Sequence, residues 1–147
     1  RVRYENDRIT ATIKWDNRVE AGLHSREEFN LVINDERFAL EPDIDAFESS
    51  DAYDVLIKAA GKKKLHEVVK MDFIRRLLKI DTGDSISALS FDIGTIYGES
   101  GEVPISEMEL EWYHGSEDDF KYIARKLAEK YNLDPENISK LQKGFAD

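Results

Sequence analysis

Residues 65–113 read LHEVVKMDFIRRLLKIDTGDSISALSFDIGTIYGESGEVPISEMELEWY, and the punctuation of this stretch decides the fold. Asp81-Thr82-Gly83-Asp84 and Gly98–Gly101 are turn sequences, because Asp supplies local hydrogen bonds and Gly a positive φ. They separate three segments: about Leu65–Ile80, Ile86–Tyr97 and Pro104–Tyr113. Val68, Val69, Met71, Phe73, Ile74, Leu77, Leu78 and Ile80 make the first rich in strand formers. Short turns between such runs predict a meander of antiparallel strands. In the last segment Met108, Leu110 and Trp112 alternate with Glu107, Glu109 and Glu111. Period-2 alternation sets those three carboxylates in one row, about 7 Å apart.

Upstream, Arg1–Tyr4 and Arg8–Trp15 also alternate, with Glu5-Asn6-Asp7 as a short hairpin connection. Ile9, Ala11, Ile13 and Trp15 share one face of the second strand; Arg8, Thr10, Thr12 and Lys14 share the other. A polar link, Asp16–Ser25 with Gly22, leads to a third strand at about Arg26–Ile33. Helical spacing then takes over at Ile44, Phe47, Ala52, Val55, Leu56 and Ala59, capped by Asp43 or Asp45, with Ser49-Ser50-Asp51 as a place to divide it. Gly61 ends this segment, and Lys62-Lys63-Lys64 reads as a solvated turn. Near the C-terminus, Ser116 caps a helix whose first turn carries Glu117, Asp118 and Asp119. Phe120, Ile123, Ala124, Leu127, Ala128 and Tyr131 line its buried face. Asp134-Pro135 predicts a second short helix.

Composition narrows the functional classes. The 147 residues include 31 acidic and 21 basic side chains, a net charge of −10, which argues against nucleic acid as a partner. Cysteine is absent, excluding disulfide scaffolds, thiolate metal sites and cysteine nucleophiles. No apolar run approaches the roughly 20 residues of a membrane span, and no leader is expected, so the expectation is a cytoplasmic protein without a membrane partner. His24, His66 and His114 are scattered without triad spacing, and Ser85, Ser87 and Ser90 show no nucleophile elbow. Trp15, Trp112 and Phe120 read as packing groups.

The polar faces of the strands carry the chemistry. Arg1 and Arg3 alternate on the first strand, Thr12 and Lys14 on the next, Arg26 and Glu28 on the third, and the glutamate row on the last. Arg and Lys suit phosphate oxygens, and carboxylate rows suit hard divalent cations such as Mg²⁺ or Mn²⁺. An E-x-E-x-E strand on an open sheet is ordinarily a wet outer face. On a closed sheet with helices outside, the same rows line an interior that needs a ligand. Helices are available to cover the apolar faces, so closure is the expectation.

These residues resemble the CYTH domain, the triphosphate tunnel metalloenzyme family. Arg1-Val2-Arg3 resembles its R-x-R strand, Thr12-Ile13-Lys14 its T-x-K strand and Arg26-Glu27-Glu28-Phe29-Asn30 its R-x-E-x-E strand. Phe91-Asp92-Ile93-Gly94 resembles the aspartate strand, Pro104–Glu111 the E-x-E segment, and Ser139-Lys140 the lysine-bearing C-terminal segment. The resemblance implies an α+β fold, a closed antiparallel eight-stranded β-barrel with helices packed outside, spanning 1–147 as one domain. It implies hydrolysis of an inorganic or organic triphosphate with Mg²⁺ or Mn²⁺. The family's E-x-E-x-K strand is expected upstream of Arg1, which makes the domain N-terminally incomplete. Asn30 stands where the family has a glutamate.

By the same resemblance, Arg1, Arg3, Lys14, Arg26, Arg75 and Lys140 are the substrate-binding candidates. Glu28, Glu109 and Glu111 are the catalytic candidates, and Asp92, Glu109 and Glu111 the metal ligands. Arg75 and Arg76 point to opposite faces, and Arg75 fits the family spacing better. Glu107 belongs either to the tunnel mouth or to exposed surface. Two alternatives to a triphosphatase stay open: an adenylate cyclase of the same family, and a non-catalytic binder of polyphosphate or nucleotide. The expected partner is a triphosphate or nucleotide, and a homodimer is an open alternative.

Overall fold

The structure, a computed structural model, describes residues 1–145 and falls into two compact units, Arg1–Glu67 and Val68–Asp147. Each unit carries one three-stranded antiparallel sheet.

The first unit begins with β1 (Val2–Glu5), β2 (Arg8–Glu20) and β3 (Leu23–Ile33), paired in that order. Asn6 and Asp7 both take positive φ (47° and 62°), the conformation of a two-residue hairpin turn whose twist matches its strands. The polar link expected over residues 16–25 is instead more strand: β2 runs to Glu20, turns at Ala21-Gly22, and β3 starts at Leu23. A bulge between Trp15 and Arg18, with Asp16 at φ 52°, explains the misreading. One extra residue breaks the alternation without ending the strand. Ile9 and Ala11 are buried on the apolar face. The Phe29 ring meets Phe47 edge-on, centroids 6.2 Å apart. Phe47 and Ile44 are buried in a 3₁₀ turn, Ile44–Phe47, capped by the Asp43 carboxylate, and α1 (Asp51–Ala60) follows. The division at Ser49–Asp51 thus yields a turn and a helix.

In the second unit β4 (Lys70–Asp81), β5 (Ser85–Gly98) and β6 (Gly101–Gly115) form the expected meander in the order β4-β5-β6. The first strand starts at Lys70 rather than near Leu65. Ser116 caps α2 (Glu117–Tyr131) by accepting the Asp119 N–H, and Phe120 is buried. Asn132, in the left-handed conformation, ends that helix. The helix expected at Asp134-Pro135 forms later, as α3 (Lys140–Lys143). Ser139 and Gln142 satisfy each other's backbone donors there, which Asp134 does not match. A Cβ on Gly98 would strike the backbone of Gly144, and a Cβ on Gly144 would strike the Val69 methyls. The turn after β5 and the end of α3 therefore touch main chain to main chain.

The closed eight-stranded barrel does not form. Neither three-stranded sheet closes on itself, and the described residues contain six strands. Alternation reports which face of a strand is charged. It does not report which strand lies beside an edge strand, and closure depends on that pairing together with strand number and stagger. The α+β character stands.

Ser87 is fully buried on β5, and its hydroxyl has no hydrogen-bond partner among the described residues. A buried hydroxyl left unpaired costs free energy that an alanine of similar size avoids. Ser87→Ala is therefore expected to raise unfolding stability by about 1 kcal/mol in urea titration. A loss of stability would mean that the hydroxyl has a partner.

Candidate functional site

The charged face of the first unit is a continuous hydrogen-bonded train. Thr12 lies opposite Asn30 and Lys14 opposite Glu28 in the β2–β3 register. The buried Thr12 hydroxyl donates to Asn30 Oδ1 at 2.6 Å, and Asn30 Nδ2 donates to Glu28 Oε1 at 2.8 Å. Lys14 Nζ approaches the other Glu28 oxygen at 2.7 Å, while Arg1 Nη2 donates to Thr12 Oγ1 at 3.4 Å. Burial would raise the Glu28 pKa, but its bonds from Lys14 and Asn30 outweigh that and hold it low. Burial lowers the Lys14 pKa, with the Arg1 and Arg26 charges acting the same way and Glu28 opposing them. Arg3 sits on the same face, with Nη1 3.7 Å from Glu5. One carboxylate, Glu28, thus faces the cations Arg1, Lys14 and Arg26.

The second unit repeats the device with more carboxylates, Asp92, Glu107, Glu109 and Glu136 against Arg75, Lys140 and Lys143. Arg75, Asp92 and Glu107 are direct cross-strand neighbours on β4, β5 and β6. Arg75 grips Asp92 with two parallel bonds, Nε to Oδ1 at 2.7 Å and Nη2 to Oδ2 at 2.6 Å. Its Nη2 also reaches Glu109 Oε2 at 2.9 Å. Lys140, from α3, sets its ammonium among three carboxylates: Asp92 at 3.0 Å, Glu107 at 2.5 Å and Glu109 at 2.6 Å. Lys143 pairs with Glu107 and Glu136, each at 2.7 Å. Asp92 is fully buried, and burial alone would raise its pKa; Arg75 and Lys140 overcome this and hold it below the usual range. Glu109 is held low against burial chiefly by Lys140. Lys140 is held high against burial by Glu107 and Glu109. The same ion pairs raise the Arg75 pKa.

Some candidates are brought together and others are not. Arg75 joins the charged row, whereas Arg76 lies on the opposite face beside Ile74, Leu78, Phe91 and Ile93, lining a cavity of about 670 Å³. Glu111 is exposed on β6 and is not paired with any described residue. Glu107, which the alternation leaves undecided, is only 13% exposed and engages both lysines. Asn30 and Lys143 are the residues that sequence reasoning undervalued. Asn30 reads as a lost carboxylate but ties Thr12 to Glu28. Lys143 carries a usable signal, its i+3 spacing from Lys140 on a capped helix.

A resident divalent cation finds no preformed cage. Among the described residues no three His, Asp or Glu side chains converge in a way that could hold a metal. The oxygens of Asp92, Glu107 and Glu109 turn to the Lys140 ammonium instead. No helix among the described residues is long and apolar enough to cross a membrane.

The profile of the CYTH domain matches residues 1–145. The chain belongs to that family. This CYTH domain is also similar to an inorganic triphosphatase of Haemophilus influenzae, 26% identical over 145 residues. The match covers 99% of this chain and 39% of that protein, so the CYTH chain spans about two fifths of the length of the curated relative it matches.

Proposed function

We propose that this chain binds a triphosphate and hydrolyses its terminal anhydride bond. The observation that carries the reading is the basic face of the first unit. Arg1, Arg3, Lys14 and Arg26 share it, with Glu28 as the carboxylate that holds Lys14 in place. Phosphate oxygens suit such a face, Arg by paired N–H donors and Lys as a compact charge. Family membership and the Haemophilus relative's name support the triphosphate class.

Phosphoryl transfer asks a protein mainly for positioning and charge neutralisation. Arg75 and Lys140 are the remaining phosphate-binding candidates; Glu28 holds a lysine, and Glu109 and Glu111 are the exposed carboxylate residues of the β6 row. The substrate in this reading is a triphosphate accompanied by Mg²⁺ or Mn²⁺. In this reading the cation accompanies the polyanion as its counter-ion; among the described residues no three His, Asp or Glu side chains form a ready cage for it.

A second reading has its own support: the carboxylates of the second unit are largely neutralised by Lys140 and Lys143, which suits a polyphosphate binder without turnover. The deciding experiment is phosphate release from tripolyphosphate, ATP and thiamine triphosphate with Mg²⁺, Mn²⁺ or a chelator. Release that requires the cation is expected. Tripolyphosphate that stabilises the fold without being cleaved would favour the binder, and neither release nor binding would overturn both.

A further inference from the structure

Phe73 stands on β4 two residues before Arg75, on the same face of the sheet. Its ring centroid lies 5.8 Å from Arg75 Cζ and 5.8 Å from Lys140 Nζ. Both lie inside the about 6 Å over which an aromatic face attracts a cation. The cross-strand neighbour of Phe73 is Gly94, and a Cβ at that glycine would fall on the backbone of Asp72 and Phe73. The two strands thus approach closely at this rung, and position 94 sends no side chain onto the face that the ring occupies.

Arg75 and Lys140 are two like charges drawn to the same acids. Both bind Asp92 Oδ2, and both bind Glu109. Their carboxylate partners neutralise them, and the ring gives each a second attractive contact. Lys140 has particular need of it, because α3 is only four residues long and a helix of that length has little stability of its own. Its place on the sheet comes from the ion pairs of Lys140 and Lys143 together with the close Gly98–Gly144 contact.

We propose that Phe73 is a positioning residue, whose ring is the shared platform that gathers the Arg75 guanidinium and the Lys140 ammonium into one cluster. The consequence for ligand binding rests on the assignment of these cations to phosphate oxygens; the consequence for structure does not. A leucine fills similar space but has no π face, and a tyrosine keeps one.

The test compares the full chain with Phe73→Leu and Phe73→Tyr, using NMR and calorimetric titration of tripolyphosphate in chelator. Upfield ring-current shifts of the Lys140 ε and Arg75 δ protons are expected in the parent and in Phe73→Tyr, and lost in Phe73→Leu. Tripolyphosphate is expected to bind Phe73→Leu about tenfold more weakly, from two lost cation–π contacts, and Phe73→Tyr within about twofold of the parent. Should the leucine variant lose its dispersed amide spectrum, Phe73→Met makes the same comparison. Unchanged Lys140 and Arg75 shifts in the leucine or methionine variant would overturn the proposal, as would unchanged affinity where the parent binds. A parent that binds no tripolyphosphate either in chelator or with Mg²⁺ would overturn the ligand assignment alone, leaving the shifts to decide the role of Phe73.

Discussion

Asp92→Ala is expected to lower unfolding stability by about 3–5 kcal/mol, the usual result of removing one partner from a buried ion pair. The side chain is fully buried and receives both arms of Arg75 and one bond from Lys140. Without it, two partly buried cations converge on a face that has lost its central anion. Asp92→Asn keeps the shape and separates charge from packing. Urea titration should show a lower midpoint at unchanged slope. A change under about 1 kcal/mol would mean that Glu107 and Glu109 suffice, and that Asp92 is not the keystone of this face.

The pH dependence follows with a definite sign. The Asp92 carboxyl is more acidic folded than unfolded, so its stabilisation is fully present above the unfolded value of about 3.9 and fades as pH falls through the folded value. Glu28 and Glu109 are shifted in the same direction. Wild-type stability should decline below about pH 4, and the gap between wild type and Asp92→Ala should narrow over the same window. A gap that widens on acidification would show that Asp92 is not held ionised by its partners.

The Glu109→Gln/Glu111→Gln double variant carries the largest expected effect on activity. Removing carboxylates that orient or deprotonate the attacking water costs about 10²–10⁴-fold in turnover. Cation-dependent release of phosphate should fall at least that far. The fold should survive, because Glu109 is 46% exposed and the single amide oxygen of glutamine can still accept from Arg75 or from Lys140. Glu111 makes no pair among the described residues, so its substitution disturbs nothing that holds the sheet. Tripolyphosphate binding should persist, since the oxygens are assigned to cations. Full activity in this variant would remove both glutamates from the reaction.

The sequence carried the local order well where a single physical signal governed it. Two Asp- or Gly-bearing turns fixed the second sheet, and Ser116 with its acidic first turn fixed the start of α2. Glu109 could be singled out by the alternation of its own strand and Asp92 by the resemblance, and the structure sets both against Arg75. Long-range pairing was not readable in that way. Closure was inferred from charged faces, yet a face's charge says nothing about the neighbour of an edge strand. The bulge at Trp15–Arg18 hid five residues of β2 for a different reason, since one inserted residue inverts the pattern being followed. Lys140 was found by resemblance alone. That its ammonium sits among three carboxylates depends on where a four-residue helix docks, and nothing in its own sequence encodes that.

The docking contact has a consequence for how mutations propagate. Gly98 and Gly144 meet with no room for a methyl group on either, and Gly144 follows directly on the helix that carries Lys140. The turn after β5 is therefore a mechanical stop for the charged cluster although it shares no charge with it. A single added carbon at position 98 would act as a shim, displacing α3 and carrying the lysine away from its acids. Surface drift, usually tolerated in hairpin turns, should be forbidden at this one.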